Sequence, residues 1–162
     1  MHTLEALTTD EAKQSVRALN DLIEAGRDAQ RGFDRAARDV RDPELREPLS
    51  RVALQRAQFV DELQRMVRAF GAHAEDEGSL LGTLHRGWLD AKAVLEDGSV
   101  LGVLGECERG ELSARRAYEN ALRAPLPIEA RDVVQKQYAA VRDSLEGLRE
   151  RIDTIKHAAR PS

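Results

Sequence analysis

The chain has 162 residues, enough for one domain with a sizeable core. Apolar residues make up 41% and charged residues 33%, with aromatics at only 4%, a mix that suits long salt-bridged helices and not a β-sandwich. The 25 basic and 29 acidic side chains are interspersed for a net charge of -4, so no basic block offers a nucleic-acid groove.

In chain order, residues 1–8 read as a flexible N-terminus. MHTLEALTTDEAK lacks the basic start and apolar core of a signal peptide. A first helix is predicted over about 9–41, where Thr8 and Glu11 have the T-x-x-E spacing of a capping box. Its apolar stripe runs Val16, Leu19, Ile23, Gly26, Phe33, Ala37 and Val40. Asp42-Pro43 ends it and starts a second helix over about 43–71, because Asp is a good N-cap and Pro at the first helical position loses no hydrogen bond. That helix carries Leu45, Val52, Phe59, Leu63, Met66 and Phe70, and Gly71 is its stop. After a polar stretch, Gly78-Ser79 opens a short helix over about 79–96, with Leu84, Trp88 and Leu95 on one face. Asp97-Gly98 marks a turn. A third long helix over about 98–124 carries Leu101, Leu104, Cys107, Ala114, Tyr118 and Ala121. Pro125 and Pro127 bracket a tight turn into a fourth over about 127–157, with Val134, Val141, Leu145, Leu148 and Ile152 inward. Residues 159–162 are a tail.

The expected domain is therefore a single all-α bundle over 9–158, built from two antiparallel hairpins. The joint between the hairpins is far longer than a turn. A bundle of helices near 28 residues is about 42 Å tall, and a crossover with its own short helix spans that height. This is the ferritin-like arrangement, in which the second and third helices run parallel.

Placed at 100° per residue, Glu111 falls in the middle of the third apolar stripe. Gln30, Gln55 with Arg56, and Gln137 with Tyr138 interrupt the other three at a similar expected depth, which predicts a central polar layer. A di-metal carboxylate site needs a Glu from each of two helices and a Glu-x-x-His from each of the other two. Here the second helix offers Gln55-x-x-Gln58, the fourth offers Gln137-x-x-Ala140, and His2, His73, His85 and His157 all lie away from mid-bundle. No metal and no cofactor are expected. A lone buried carboxylate needs a partner. The expected one is Arg56, with Gln30, Gln55, Gln137 and Tyr138 completing the hydrogen bonds. The alternative is a Glu111 partly solvated at a helix seam. Cys107, the single cysteine, excludes a disulfide framework within the chain and reads as a buried, inert thiol. A small-ligand pocket beside Tyr118 and Tyr138 is a weaker expectation. No nucleophile elbow, phosphate loop or zinc signature is present in the sequence.

The stretches LNDLIEAGRDAQRGFDRAA, LHRGWLDAKAVL and GECERGELSARRAYENAL carry a resemblance over roughly residues 12–155. On them the chain resembles a bacterial family of ferritin-like four-helix bundles described as a domain of unknown function. The resemblance implies that fold and self-association, and it supplies no substrate. The resulting expectation is a cytoplasmic, non-enzymatic structural or protein-interaction module, a homo-oligomer with the dimer favoured, binding neither nucleic acid nor membrane. A metal-binding protein with a stress or iron-related role is the alternative.

Overall fold

The computed structural model describes residues 9–71 and 99–159. Among these residues the chain is all-α, with four long helices and no strand. Helix α1 spans Thr9–Asp39, α2 spans Arg46–Ala69, α3 spans Val100–Leu122 and α4 spans Ile128–Ala158. These ends differ by a few residues from the expected ones. The largest difference is at α2, which a 3-10 turn over Pro43–Leu45 precedes. Asp42 caps that turn, its carboxylate accepting from the Glu44 N–H at 3.0 Å, and Pro43 sits where a missing N–H has no consequence. Gly71 adopts φ 77°, the left-handed geometry that closes a helix. The Thr8 cap, the short helix over 79–96, and His2, His73, His85 and Trp88 lie outside the described residues.

The α3–α4 turn is fastened from both sides. Arg131 on the first turn of α4 donates to the carbonyls of Leu122 and Ala124, each at 2.9 Å, which satisfies acceptors that the end of α3 leaves open. From α1, buried Ser15 donates its hydroxyl to the Pro125 carbonyl at 3.0 Å. The start of α1 therefore lies beside the end of α3.

Two hydrophobic clusters fix the helix directions. One gathers Phe33, Ala37 and Val40 of α1 with Leu45 and Leu49 before and on α2, Val103 and Leu104 of α3, and Leu148 and Ile152 of α4. The other gathers Leu19 and Ile23 of α1, Leu63 and Val67 of α2, Tyr118 and Ala121 of α3, and Ala130 and Val134 of α4. The end of α1 thus meets the start of α2, the start of α3 and the end of α4. Helices α1 and α4 run one way, and α2 and α3 run the other. Gly26 lies where α1 packs directly on Val60 of α2. A Cβ there would lie 2.6 Å from Val60 Cγ2, so any larger residue must displace the Val60 side chain. No helix among the described residues is long and apolar enough to cross a membrane.

Candidate functional site

Arg56 and Glu111 sit between the two clusters. Arg56 Nη1 donates to Glu111 Oε1 at 2.5 Å and Nη2 donates to Oε2 at 2.8 Å. The pair is bidentate, the geometry that planar guanidinium and carboxylate share. Arg56 is 1% exposed and Glu111 0%. The guanidinium carbon lies 5.8 Å from the ring centres of both Phe33 and Phe59, so two ring quadrupoles face the cation. Gln55 accepts from Arg56 Nε at 3.3 Å. This layer draws its charge from α2 and α3 and its rings from α1 and α2. It separates two apolar clusters with a charge that is cancelled locally.

The other expected members of the layer are placed elsewhere. Tyr118 faces Gln137 and Glu108 faces Arg149, a register that sets Leu145, not Gln137, opposite Glu111. Gln137 is eight residues from Leu145, roughly 12 Å along α4. There it makes a second polar layer. Tyr118 donates its hydroxyl to Gln137 Oε1 at 2.6 Å, and Gln137 Nε2 donates to Glu62 at 2.8 Å and to the Phe59 carbonyl at 3.4 Å. Tyr138, next to Gln137, is rotated 100° outward and donates instead to Glu119 at 2.8 Å. Gln30 is half-buried and takes no part in the hydrogen bonds of the pair. One central layer was expected; the structure has two, and only Gln55 joins Arg56 and Glu111.

Sequence reasoning missed Glu62, which lies on an exposed position outside the apolar stripe. It also gave the Tyr118 hydroxyl no acceptor. A tyrosine in a fully buried stripe must place its hydroxyl on an acceptor, and that signal was present. Buried Glu24 and Asp28 on α1 were missed as well. Glu24 accepts from Arg27 at 3.0 Å, and Arg31 approaches Asp28 to 4.0 Å.

The electrostatics follow from burial. Burial first, and the nearby Glu111 charge second, push the Cys107 thiol far above its ordinary range. The thiol is therefore held neutral, where it is a poor nucleophile. Burial likewise pushes the Tyr118 phenol up, with Glu111 and Glu62 adding to it and Arg56 opposing. The Tyr138 phenol is raised chiefly because its proton is held by Glu119. The rings of Tyr118 and Tyr138 stack with centroids 6.4 Å apart. A cavity of about 490 Å³ lies at the other half, between α2 and α4.

Among the described residues no three His, Cys, Asp or Glu side chains are grouped to hold a metal ion. The donor set at mid-bundle gives the chemical reason. Both oxygens of Glu111 are engaged by a fixed cation that has no lone pair to offer a metal. The family model described as Domain of unknown function (DUF2383) matches residues 14–124. That span holds most of α1 and all of α2 and α3, with Arg56, Glu111 and Tyr118, and it ends before α4. No curated protein matches the chain.

Proposed function

We propose that this chain, which belongs to the DUF2383 family, is a ferritin-like helical bundle that acts without catalysis, as a structural or protein-interaction module. The parallel run of α2 and α3 supports a long crossover through the residues that join them. The observation that carries the reading is the Arg56–Glu111 pair. Where di-metal bundles converge four carboxylates and two histidines, the layer between the two clusters holds the carboxylate of Glu111, already neutralised by a bidentate guanidinium. A buried pair of this kind fixes helix register more than it adds stability. Exposed Leu54 and Ile128, at 61% and 59%, supply apolar contact points and support self-association, most simply as a two-fold dimer. The net charge of -4 argues against a nucleic-acid partner. A cytoplasmic setting agrees with a lone, buried, reduced cysteine.

The test is elemental analysis of protein purified without chelators from cells supplied with iron and manganese. The expected result is less than a tenth of an ion per chain. Stoichiometric iron or manganese, lost in the near-isosteric Glu111→Gln variant, would establish the metal-binding alternative instead. Sedimentation at micromolar concentration tests the oligomer, and a strict monomer counts against it.

A further inference from the structure

The outer face of α2 carries a charge pattern with a direction. Glu47, Arg51, Leu54, Gln58, Asp61 and Arg65 follow one another at alternating steps of four and three, the spacing of a seam between two helices. At 100° per residue this stripe lies diametrically opposite buried Arg56. All six residues are exposed. The four charged side chains are 60–80% exposed. Leu54, in the middle, is the most exposed large apolar residue among those described. Within the helix Arg51 pairs with Glu47 at 2.5 Å and Arg65 with Asp61 at 3.0 Å. One such contact uses a fraction of the five donors of a guanidinium and the lone pairs of a carboxylate, so each charge can take a second partner.

The stripe is complementary to itself when reversed. If a second α2 is turned end for end about a two-fold axis at the level of Arg56, Glu47 meets the partner's Arg65, Arg51 meets the partner's Asp61, and Leu54 meets the partner's Gln58. The two Leu54 side chains then lie roughly 6 Å apart along the seam and cover one another. A two-fold axis makes every contact twice, so the copies share four ion pairs. With the pairs inside each helix these close into two four-charge networks, one on each side of the leucines, and a network contributes where a single exposed pair does not. Other arrangements are penalised. A parallel pair sets each charge against its own like. A shift of one turn sets Glu47 against the partner's Asp61 in one direction and Arg51 against the partner's Arg65 in the other, and like charges across an interface select against both. We propose that α2 pairs with the α2 of a second copy, antiparallel and in this register. This interface rests on the self-association proposed in the previous section and gives it a surface and a symmetry.

The experiment is sedimentation equilibrium of the full chain and three variants, with far-ultraviolet circular dichroism to confirm equal helix content. Wild type is expected to dimerise at low salt, and its Kd should rise about tenfold or more between about 50 mM and about 500 mM salt, because the networks are exposed and screened. Arg51→Asp sets acid against acid at two places, and Asp61→Arg sets Arg against Arg at two places. Each should raise Kd about thirtyfold. The double variant Arg51→Asp/Asp61→Arg exchanges the two signs and should return Kd to within about threefold of wild type. Positions 51 and 61 are roughly 15 Å apart in one chain, so a rescue within the monomer has no route. A dimer that both single variants leave as tight as wild type overturns the α2 interface and leaves self-association standing. A double variant as weak as the singles overturns the antiparallel register. A wild type that stays monomeric at low salt overturns the self-association itself, and this interface with it.

Discussion

Removing Glu111 perturbs the bundle where its charge is concentrated. In Glu111→Leu the guanidinium of Arg56 loses two charge-assisted hydrogen bonds at a site where it is 1% exposed. An uncompensated buried charge costs about 3–5 kcal/mol. The rings of Phe33 and Phe59 still face the cation, and a desolvated cation–π contact is worth about 2 kcal/mol. The expected loss is therefore near the lower end, about 3 kcal/mol, or roughly 6–12 °C in Tm for a domain of this size. Arg56→Met makes the reciprocal defect, a carboxylate at 0% exposure with no cation, and loses a similar amount. The double variant Arg56→Met/Glu111→Leu removes both charges and fills the space. It should lie within about 1 kcal/mol of wild type or above it, because apolar replacement of a buried pair is commonly neutral or stabilising. Guanidinium-induced unfolding followed by circular dichroism measures all four proteins, with a constant m-value as the two-state check. A coupling energy of several kcal/mol is the signature. If each single variant loses under about 1 kcal/mol and the losses add in the double, the pair is not the compensated charge argued here.

Four further outcomes follow from specific residues. Gly26→Ala should destabilise by about 1–2 kcal/mol, since its methyl drives into Val60 at 2.6 Å and overpacking outweighs the helix-propensity gain. Gly147→Ala, with nothing within 4 Å, should stabilise by about 0.5–1 kcal/mol in the same assay. Tyr118→Phe leaves buried Gln137 Oε1 without its 2.6 Å donor and should lose about 1–3 kcal/mol, against under about 1 kcal/mol for half-buried Tyr138→Phe. Cys107 has a raised folded pKa, so the unfolded chain releases the thiol proton first. Stability should then be level below the ordinary thiol value of 9.0 and fall by about 1.4 kcal/mol per pH unit above it. Cys107→Ala should flatten that limb between about pH 9 and 10, above which the raised Tyr118 phenol adds a fall of the same sign; a limb equally steep in the variant over that window would remove the thiol from the explanation.

The long helices were legible because their punctuation was chemical. Asp42-Pro43 and Gly71 carry the cap, the fixed φ and the positive φ that the structure uses at those positions. Glu111 was legible as inward because one charge interrupts an otherwise apolar stripe, and Arg56 was the guanidinium within reach. The depth of Gln137 was not legible. Counting residues from the Pro125–Pro127 turn treats the turn as having no length, whereas the register is set by side chains such as Tyr118 and Arg149. A periodicity argument also cannot choose between neighbours 100° apart, so it named both Gln137 and Tyr138 where one turns in. Buried Glu24 and Asp28 escaped because a carboxylate on an Arg-rich helix reads as a solvated face, as it is at Asp34–Arg38 and Glu47–Arg51, until tertiary packing covers it.

The claim that the bundle's central charge is satisfied by the chain itself rests on the Arg56 guanidinium. Nitrogen-resolved NMR of the arginine side chains in D₂O reports on it directly. One guanidinium, lost in Arg56→Met, should keep its Nη protons long after those of every surface arginine have exchanged, with separate Nη signals because rotation is blocked by Glu111. Exchange of the Arg56 signal as fast as that of exposed Arg38 would contradict it.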